Sequence, residues 1–267
     1  MKRRNLIGYA GAGLVTALIT NFGSHEDANA QSSSLFVKWL GHTCFLFSDR
    51  KVKVLVNPFR PIGCTANYRP PKVETDVVLI SSQLLDEGEV TGLPGNPKLV
   101  YQEGVYNYGG IQFQGIPMDH DLKGGKQFGK NIAWKWQQGG INILHLGGAA
   151  APITFEQKIP VGSPDLLLIP VGGGPKAYNA QAAKDAIAIL KPKLIIPTQY
   201  RTQASDPNNC DISPVDEFLT SMKENNFKVI NNKSDFIVLS PNKLPESTEI
   251  QVLSYNFNWK NAPKKLS

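Results

Sequence analysis

The chain has 267 residues, 41% of them apolar and 19% charged, enough for one well-packed domain of ordinary size. This composition excludes a disordered chain, a collagen-like repeat and a multi-pass membrane protein, and three cysteines exclude a disulfide-dense mini-scaffold. A net charge of +6 and a pI near 9.1 raise nucleic-acid binding as a reading. The excess is spread along the chain, with Lys260 and the pair Lys264 and Lys265 as the nearest thing to a run, so it reads as solvated surface with no specific nucleic-acid partner.

Residues 1–30 read as a secretory address. Lys2, Arg3 and Arg4 precede an apolar, Gly/Ala-rich stretch at about 10–19, and Ala28-Asn29-Ala30 supplies an A-x-A cleavage site before Gln31. The apolar run is far short of the roughly 20 residues that a spanning helix needs. Adjacent arginines make it twin-arginine-like; a general secretory signal or an uncleaved anchor is the other reading. Cleavage removes three cations and two anions and leaves 237 residues with a net charge of +5. His25 leaves with the signal, so His42, His120 and His145 remain. The expected destination is the bacterial periplasm or the thylakoid lumen, with no integral membrane segment after signal removal.

Beyond the address, short β-branched runs alternate with turn residues. Strands are predicted at 35–39, 44–47 and 52–56 as a meander, then a buried strand at 76–80, then 98–101, 111–116, 131–136 and 141–146. Gln138-Gly139-Gly140 makes a hairpin of the last two. The pattern then mixes: strand 165–170, helix 180–190, strand 193–197, helix 214–226, and strands 228–230 and 236–239. Ala182, Ala183, Ala186, Ile187 and Leu190 fall on one helical face, and Pro192 stops that helix. Ser213 is the predicted N-cap of the next, with Pro214 at N1 and Asp216 and Glu217 in the first turn. Tyr255, Phe257 and Trp259 alternate in a tail read as an extra strand from about 249. Strands first and αβ units later, without linker or repeat, predict one layered α/β domain over 31–267.

Few residues carry obvious chemistry. Cys44 sits in an apolar run and reads as a buried small hydrophobe, whereas Cys64 and Cys210 lie in turn-rich loops and form the one candidate disulfide. His120 reads as a general base or as hydrogen-bonded structure. Asp86 and Glu87 are sequence neighbours whose side chains should diverge, which argues against a glycosidase pair. Ser82 lacks a G-x-S-x-G elbow. Gly172-Gly173-Gly174 is followed by Pro175-Lys176-Ala177, which breaks any phosphate-loop pattern and leaves a packing role. Trp134 and Trp136 share one strand face.

Six segments in register point further. They are 39–46 (with Gly41-His42-Thr43), 54–59 (ending Asn57-Pro58-Phe59), 76–81, 143–147 (with His145-Leu146-Gly147), 169–173 and 195–200. Together they resemble the metallo-β-lactamase superfamily, in its ascorbate-6-phosphate-lactonase-like branch, over roughly 35–240. The resemblance implies a four-layered αββα sandwich with a dinuclear metal site at one edge. In that family His-x-His-x-Asp-His follows the strand like 76–81 and, with later ligands, holds two ions about 3.5–4 Å apart. Here Ser82, Leu84 and Glu87 stand at the three histidine positions, and Asp86 matches. His120 matches the third-motif histidine, Gly148 replaces the bridging aspartate, and Gln199 replaces the final histidine. Two of seven ligand positions survive. His145 matches a scaffold histidine and His42 a Gly-His turn outside the ligand set.

Two functional readings follow. The leading expectation is an exported protein that keeps the fold without catalysis, needs no cofactor, and binds a protein partner, an assembly client or a small-molecule ligand. The alternative is an active hydrolase of the lactonase or phosphodiester type with a rebuilt site. Asp86 and His120 are its catalytic candidates, and Glu87 and Gln199 would add oxygen ligands for a weakly held magnesium, calcium or manganese ion.

Overall fold

A computed structural model describes residues 34–258, all within one compact unit. The expected signal at 1–30, its His25, and Trp259, Lys260, Lys264 and Lys265 lie outside the described residues. The first sheet has six strands: β1 (Leu35–Gly41), β2 (Cys44–Ser48), β3 (Lys53–Val56), β4 (Val77–Leu79), β5 (Lys98–Val100) and β13 (Phe236–Leu239). Its order is β13-β1-β2-β3-β4-β5. In β1, Leu35, Val37 and Trp39 are buried while the alternate residues are half-buried, as period-two patterning requires. β4 is buried throughout because it lies between parallel β3 and β5.

The second sheet has eight strands in the order β12-β14-β11-β10-β9-β8-β7-β6. β6 (Gly104–Tyr108), β7 (Ile111–Asp119), β8 (Lys130–Gln138) and β9 (Ile141–His145) form an antiparallel meander. Gly139 and Gly140 both have positive φ, as the β8–β9 hairpin demands. From β9 the sheet turns parallel through β10 (Leu166–Pro170), β11 (Leu194–Thr198), β14 (Glu249–Val252) and β12 (Lys228–Asn231). The helices α1 (Phe155–Val161), α2 (Ala180–Leu190) and α3 (Val215–Ser221) all lie on connections of this sheet. Two mixed sheets with helices make this the α/β sandwich of the metallo-β-lactamase type. Among the described residues no helix is long and apolar enough to cross a membrane.

The structure departs from the sequence reading where burial contradicts apolarity. β6 and α1 were not predicted. Val105 in β6 is exposed, and α1 turns Phe155 and Ile159 outward with exposures of 78% and 76%. Each element turns a single apolar residue to the core, Val161 in α1 and Tyr106 in β6, too few to mark an inner face in the sequence. α1 starts instead from a polar device, a capping box between Thr154 and Gln157. α3 ends at Ser221, and a short 3-10 turn, Lys223–Asn225, finishes the predicted helix. Its N-cap is Pro214, not Ser213. The Ser213 carbonyl, which an N-cap would give to the first turn, already accepts the Arg201 N–H at 2.8 Å. The tail strand stops at Val252, after which Tyr255 and Phe257 pack on Tyr68 at ring distances of 4.7 and 5.8 Å.

The sheets meet over an apolar core in which Trp134 and Trp136 are both buried, Trp136 against Phe47 at 4.9 Å. Two polar bonds cross it: Gln138 Nε2 to the Val52 carbonyl at 2.8 Å, and His145 Nε2 to the Thr43 carbonyl at 2.9 Å. His145 Nδ1 accepts from the Gly147 N–H at 3.0 Å, so the proton is assigned to Nε2 and the ring is neutral. Burial holds its pKa down at about 4 despite the Thr43 bond. Cys64 and Cys210 are bonded with Cα atoms 4.7 Å apart, tying the loop after β3 to the loop after β11, and Cys44 is free and buried. A Cβ on Gly172 would lie 2.2 Å from the Gln199 carbonyl oxygen. That glycine allows the ends of β10 and β11 to approach.

Candidate functional site

One edge of the sandwich gathers the predicted positions from four turns. Ser82, Leu84, Asp86 and Glu87 follow β4, in a turn closed by the Glu87 and Gly88 N–H groups on the Leu84 carbonyl at 3.0 and 2.7 Å. His120 directly follows β7, Gly148 follows β9, and Gln199 follows β11 in a left-handed conformation. His42, in the β1–β2 turn, is left-handed too, and its carbonyl accepts the Gln199 N–H at 3.4 Å.

These residues form two groups. In the first, His120 Nε2 lies 3.5 Å from Glu87 Oε2, and the Ser82 hydroxyl donates to Glu87 Oε2 at 2.9 Å. Glu87 and His120 are fully buried. Burial, reinforced by the Asp86 carboxylate, pushes the Glu87 carboxyl up to about 8 against the Ser82 bond. Burial and then the Lys176 ammonium lower His120 to about 4. At neutral pH the Glu87–His120 contact therefore joins two neutral groups and is not an ion pair.

Gly148 explains how they fit. A Cβ there would lie 2.3 Å from His120 Nε2 and 2.7 Å from Glu87 Oε1. The Glu87 carboxyl thus occupies the space that a side chain at 148 would claim.

In the second group Asp86 is paired with the Lys176 ammonium, which also lies 5.8 Å from the centre of the Phe128 ring. That ring stands edge-on to His120 at 6.4 Å. Burial would raise Asp86, but His42 and Lys176 outweigh it and hold the carboxyl below its ordinary range. His42 is buried, and burial lowers it to about 4. Neither His42 nitrogen has a hydrogen-bond partner; nor do Glu87 Oε1, Thr198 Oγ1 and Gln199 Oε1. So many buried polar atoms without partners mark a place shaped for something besides packing.

A cavity of about 390 Å³ adjoins the first group, lined by Ser82, Leu84, Tyr101, Phe128, Lys130 and Ile132 among others. A larger concavity of about 660 Å³, beside Lys38, Lys233 and Asn256, contains none of the site residues. Lys176 and Phe128 were missed as site residues. Lys176 follows the Gly172-Gly173-Gly174 run, and its partner Asp86 lies 90 positions away.

Residues 36–199 match the model of the beta-lactamase superfamily domain. The chain belongs to the metallo-β-lactamase superfamily. A Thermococcus onnurineus protein named a metal-dependent hydrolase is 26% identical over 79% of this chain and 98% of its own. A second, from Thermococcus kodakarensis and similarly named, is 25% identical over 77% of this chain and 96% of its own. A solved Thermotoga maritima structure, titled for a Zn-dependent hydrolase of the superfamily, is 28% identical with a TM-score of 0.64, covering 82% of this chain and 98% of that one. These relatives overturn two expectations. A non-catalytic binding or assembly protein finds no counterpart among them, and their metal dependence contradicts the expectation that no cofactor is involved.

The donors of this chain can be tested against such a metal. Among the described residues no three His, Cys, Asp or Glu side chains group to hold an ion. A catalytic zinc asks for three protein ligands. Glu87 and His120 supply two, Ser82 a hydroxyl, Leu84 a hydrocarbon and Gly148 nothing, while Asp86 is engaged by Lys176. In this arrangement the residues do not fit the dinuclear centre that the resemblance implies.

Proposed function

We propose that the protein is a hydrolase of the lactonase or phosphodiester type, with lactones as the first choice from its lactonase-like resemblance. Its working group is Glu87, reached through Ser82. The observation that carries this reading is a buried carboxyl with its pKa raised to about 8, hydrogen-bonded to a hydroxyl that fronts a cavity of ligand size. A carboxylate with so high a pKa is a stronger base than an ordinary one, and its range lies near working pH.

In its ionised form Glu87 takes the Ser82 hydroxyl proton while Ser82 takes one from a water in the cavity. The water oxygen attacks the carbonyl carbon or phosphorus, and the bond to the leaving oxygen breaks. The proton then returns from Glu87 through Ser82 to that oxygen, so one water is consumed and the side chains are restored. His120 packs against the carboxyl and fixes its direction. Asp86 and Lys176 set the surrounding charge, and Gln199 is not among the residues that line the cavity. We place this reaction outside the cytoplasm, in the periplasm or thylakoid lumen, where the Cys64–Cys210 disulfide would persist.

The test is turnover of a chromogenic lactone and of bis(p-nitrophenyl) phosphate between pH 6 and 10. The rate is expected to rise through about pH 8, with Glu87→Gln lowering kcat by at least about 100-fold. A Glu87→Gln variant that turns over both esters at the wild-type rate would overturn the reading.

A further inference from the structure

We propose that α1 and the loop that follows β7 form a docking surface for an anionic phospholipid bilayer. Leu122, Phe155 and Ile159 are the most exposed large apolar side chains among the described residues, at 79%, 78% and 76%. Phe155 and Ile159 are four positions apart on one face of α1. The Gln157 side chain donates to the Pro117 carbonyl at 2.8 Å and ties α1 to β7. Leu122 follows Pro117 by five residues, so its Cα lies within about 18 Å of that anchor. The three tips share one edge of the molecule. Neither segment is a frayed end. α1 opens on the Thr154–Gln157 capping box, and Lys135 Nζ donates to the Pro160 carbonyl in its last turn at 2.7 Å. In the loop the buried Asp121 carboxylate accepts the N–H groups of Lys123, Gly125, Gln127 and Phe128 at 2.7, 3.1, 3.0 and 2.9 Å. A turn fixed in this way holds Leu122 out without further ordering, so its insertion into lipid costs little conformational entropy.

The fringe of these tips is cationic. Lys123, Lys126 and Lys158 are exposed on the two segments against one exposed acid, Glu156, while Asp121 is consumed by its own loop. Apolar tips ringed by ammonium groups match the boundary of an anionic bilayer, where acyl chains lie beneath phosphate headgroups. A second copy of the chain fits this face less well. Three side chains cover less than the roughly 800 Å² that each partner of a stable dimer buries. A two-fold contact would also set these lysines against their own copies. Phe128 and Lys130, at the far end of the loop, line the cavity beside Ser82, so the docking surface and the cavity share one loop. Vesicle binding is read without turnover, so its failure and the failure of the hydrolase reading are separate results.

The experiment is co-sedimentation of the full chain with vesicles of phosphatidylcholine alone, or of equal parts phosphatidylcholine and phosphatidylglycerol, at low salt. Wild type should bind the anionic vesicles at least about tenfold more tightly than the neutral ones. F155S/I159S should weaken that binding by at least about tenfold, and L122S should weaken it in the same direction. K123Q/K126Q should remove most of the preference for anionic lipid. All of these positions face solvent, so the thermal melts of the variants should match wild type. In F155W the added emission should be quenched by vesicles with brominated acyl chains, a reading local to α1. Equal binding to both vesicle types, wild-type binding by F155S/I159S, or unquenched added emission in F155W would each overturn the proposal. Self-association abolished by F155S/I159S, without vesicle binding, would overturn it in favour of a second copy.

Discussion

The sharpest structural test is to add a single methyl group. Gly148 lies outside the left-handed region, so Gly148→Ala introduces no backbone strain and its effect is steric. The new Cβ would lie 2.3 Å from His120 Nε2 and 2.7 Å from Glu87 Oε1, against ordinary contacts beginning near 3.4 Å. The pair must retreat by about 1 Å in a site with no exposed surface. Overpacking of that kind costs about 1–3 kcal/mol. Displacing Glu87 also loosens its 2.9 Å bond from Ser82, which adds about 1 kcal/mol. The expected loss of about 2–4 kcal/mol corresponds to a Tm lower by roughly 5–12 °C for a domain of this size. Circular-dichroism melts and urea titrations read it directly. Glu87→Ala removes the carboxyl and opens space into which His120 can retreat, so the double variant should recover about 1–2 kcal/mol relative to the sum of the singles. A Gly148→Ala protein within 0.5 kcal/mol of wild type, additive with Glu87→Ala, would show that Glu87 does not occupy the space in front of residue 148.

Two further outcomes follow from the charges and the covalent cross-link. His42, His120 and His145 are each held near 4, against 6.5 for the free group, so below pH 6.5 the unfolded chain binds about three protons that the native chain refuses. Glu87, near 8 against 4.5, works in the opposite sense, because the native chain keeps a proton that the unfolded chain loses. Stability should therefore peak near pH 6.5. It should fall by about 3 kcal/mol per unit toward pH 4.5, where three histidines outweigh one carboxyl, and by about 1.4 kcal/mol per unit toward pH 8. Urea midpoints across this range check both limbs, and Glu87→Gln should abolish the alkaline decline and steepen the acid limb to about 4 kcal/mol per unit, since three histidines are then unopposed. The Cys64–Cys210 bridge closes a span of 146 residues, so Cys64→Ser/Cys210→Ser should cost about 2–4 kcal/mol, measured by urea unfolding under non-reducing conditions. A double variant as stable as wild type would remove the bridge from the account.

The fold was legible because burial and apolarity agree along most of the chain. β4, β10 and β11 are continuous apolar runs enclosed by parallel neighbours, and α2 presents Ala183, Ala186, Ile187 and Leu190 on its buried face. Prediction failed at β6 and α1, where Val105, Phe155 and Ile159 are exposed and leave no apolar period to read. The candidate site was legible as a set of positions but not as an arrangement. Glu87 and Gly148 each read as a lost ligand, because nothing in a linear sequence says that one side chain fills the space of the other. Lys176 was invisible for the same reason. A pairing across 90 residues is fixed by the closing of β4 and β10 onto one edge, not by any local pattern. The expectation of a protein without catalysis followed from counting imidazoles, which overlooks carboxylates and ammonium groups that arrive from other directions.

Glu87 and Gly148 are physically interdependent. With any side chain at 148, the Glu87 carboxyl could not lie 3.5 Å from His120; with the histidine of the resembled motif at 87, a glycine at 148 would leave the pocket without a carboxyl beside His120. Against the motif that the resemblance implies, with an aspartate at 148, this chain carries its carboxyl on the turn after β4. Asp86 and Lys176 make a second compensated unit, since a part-buried carboxylate needs a cation and Lys176 provides it within the chain. What remains is a buried acid of raised pKa, joined through Ser82 to a cavity, with the ammonium of Lys176 held by the neighbouring Asp86. That combination retains a base and a positive charge, the two electrostatic elements that hydrolysis of an ester requires, although most imidazoles of the resembled motif are gone.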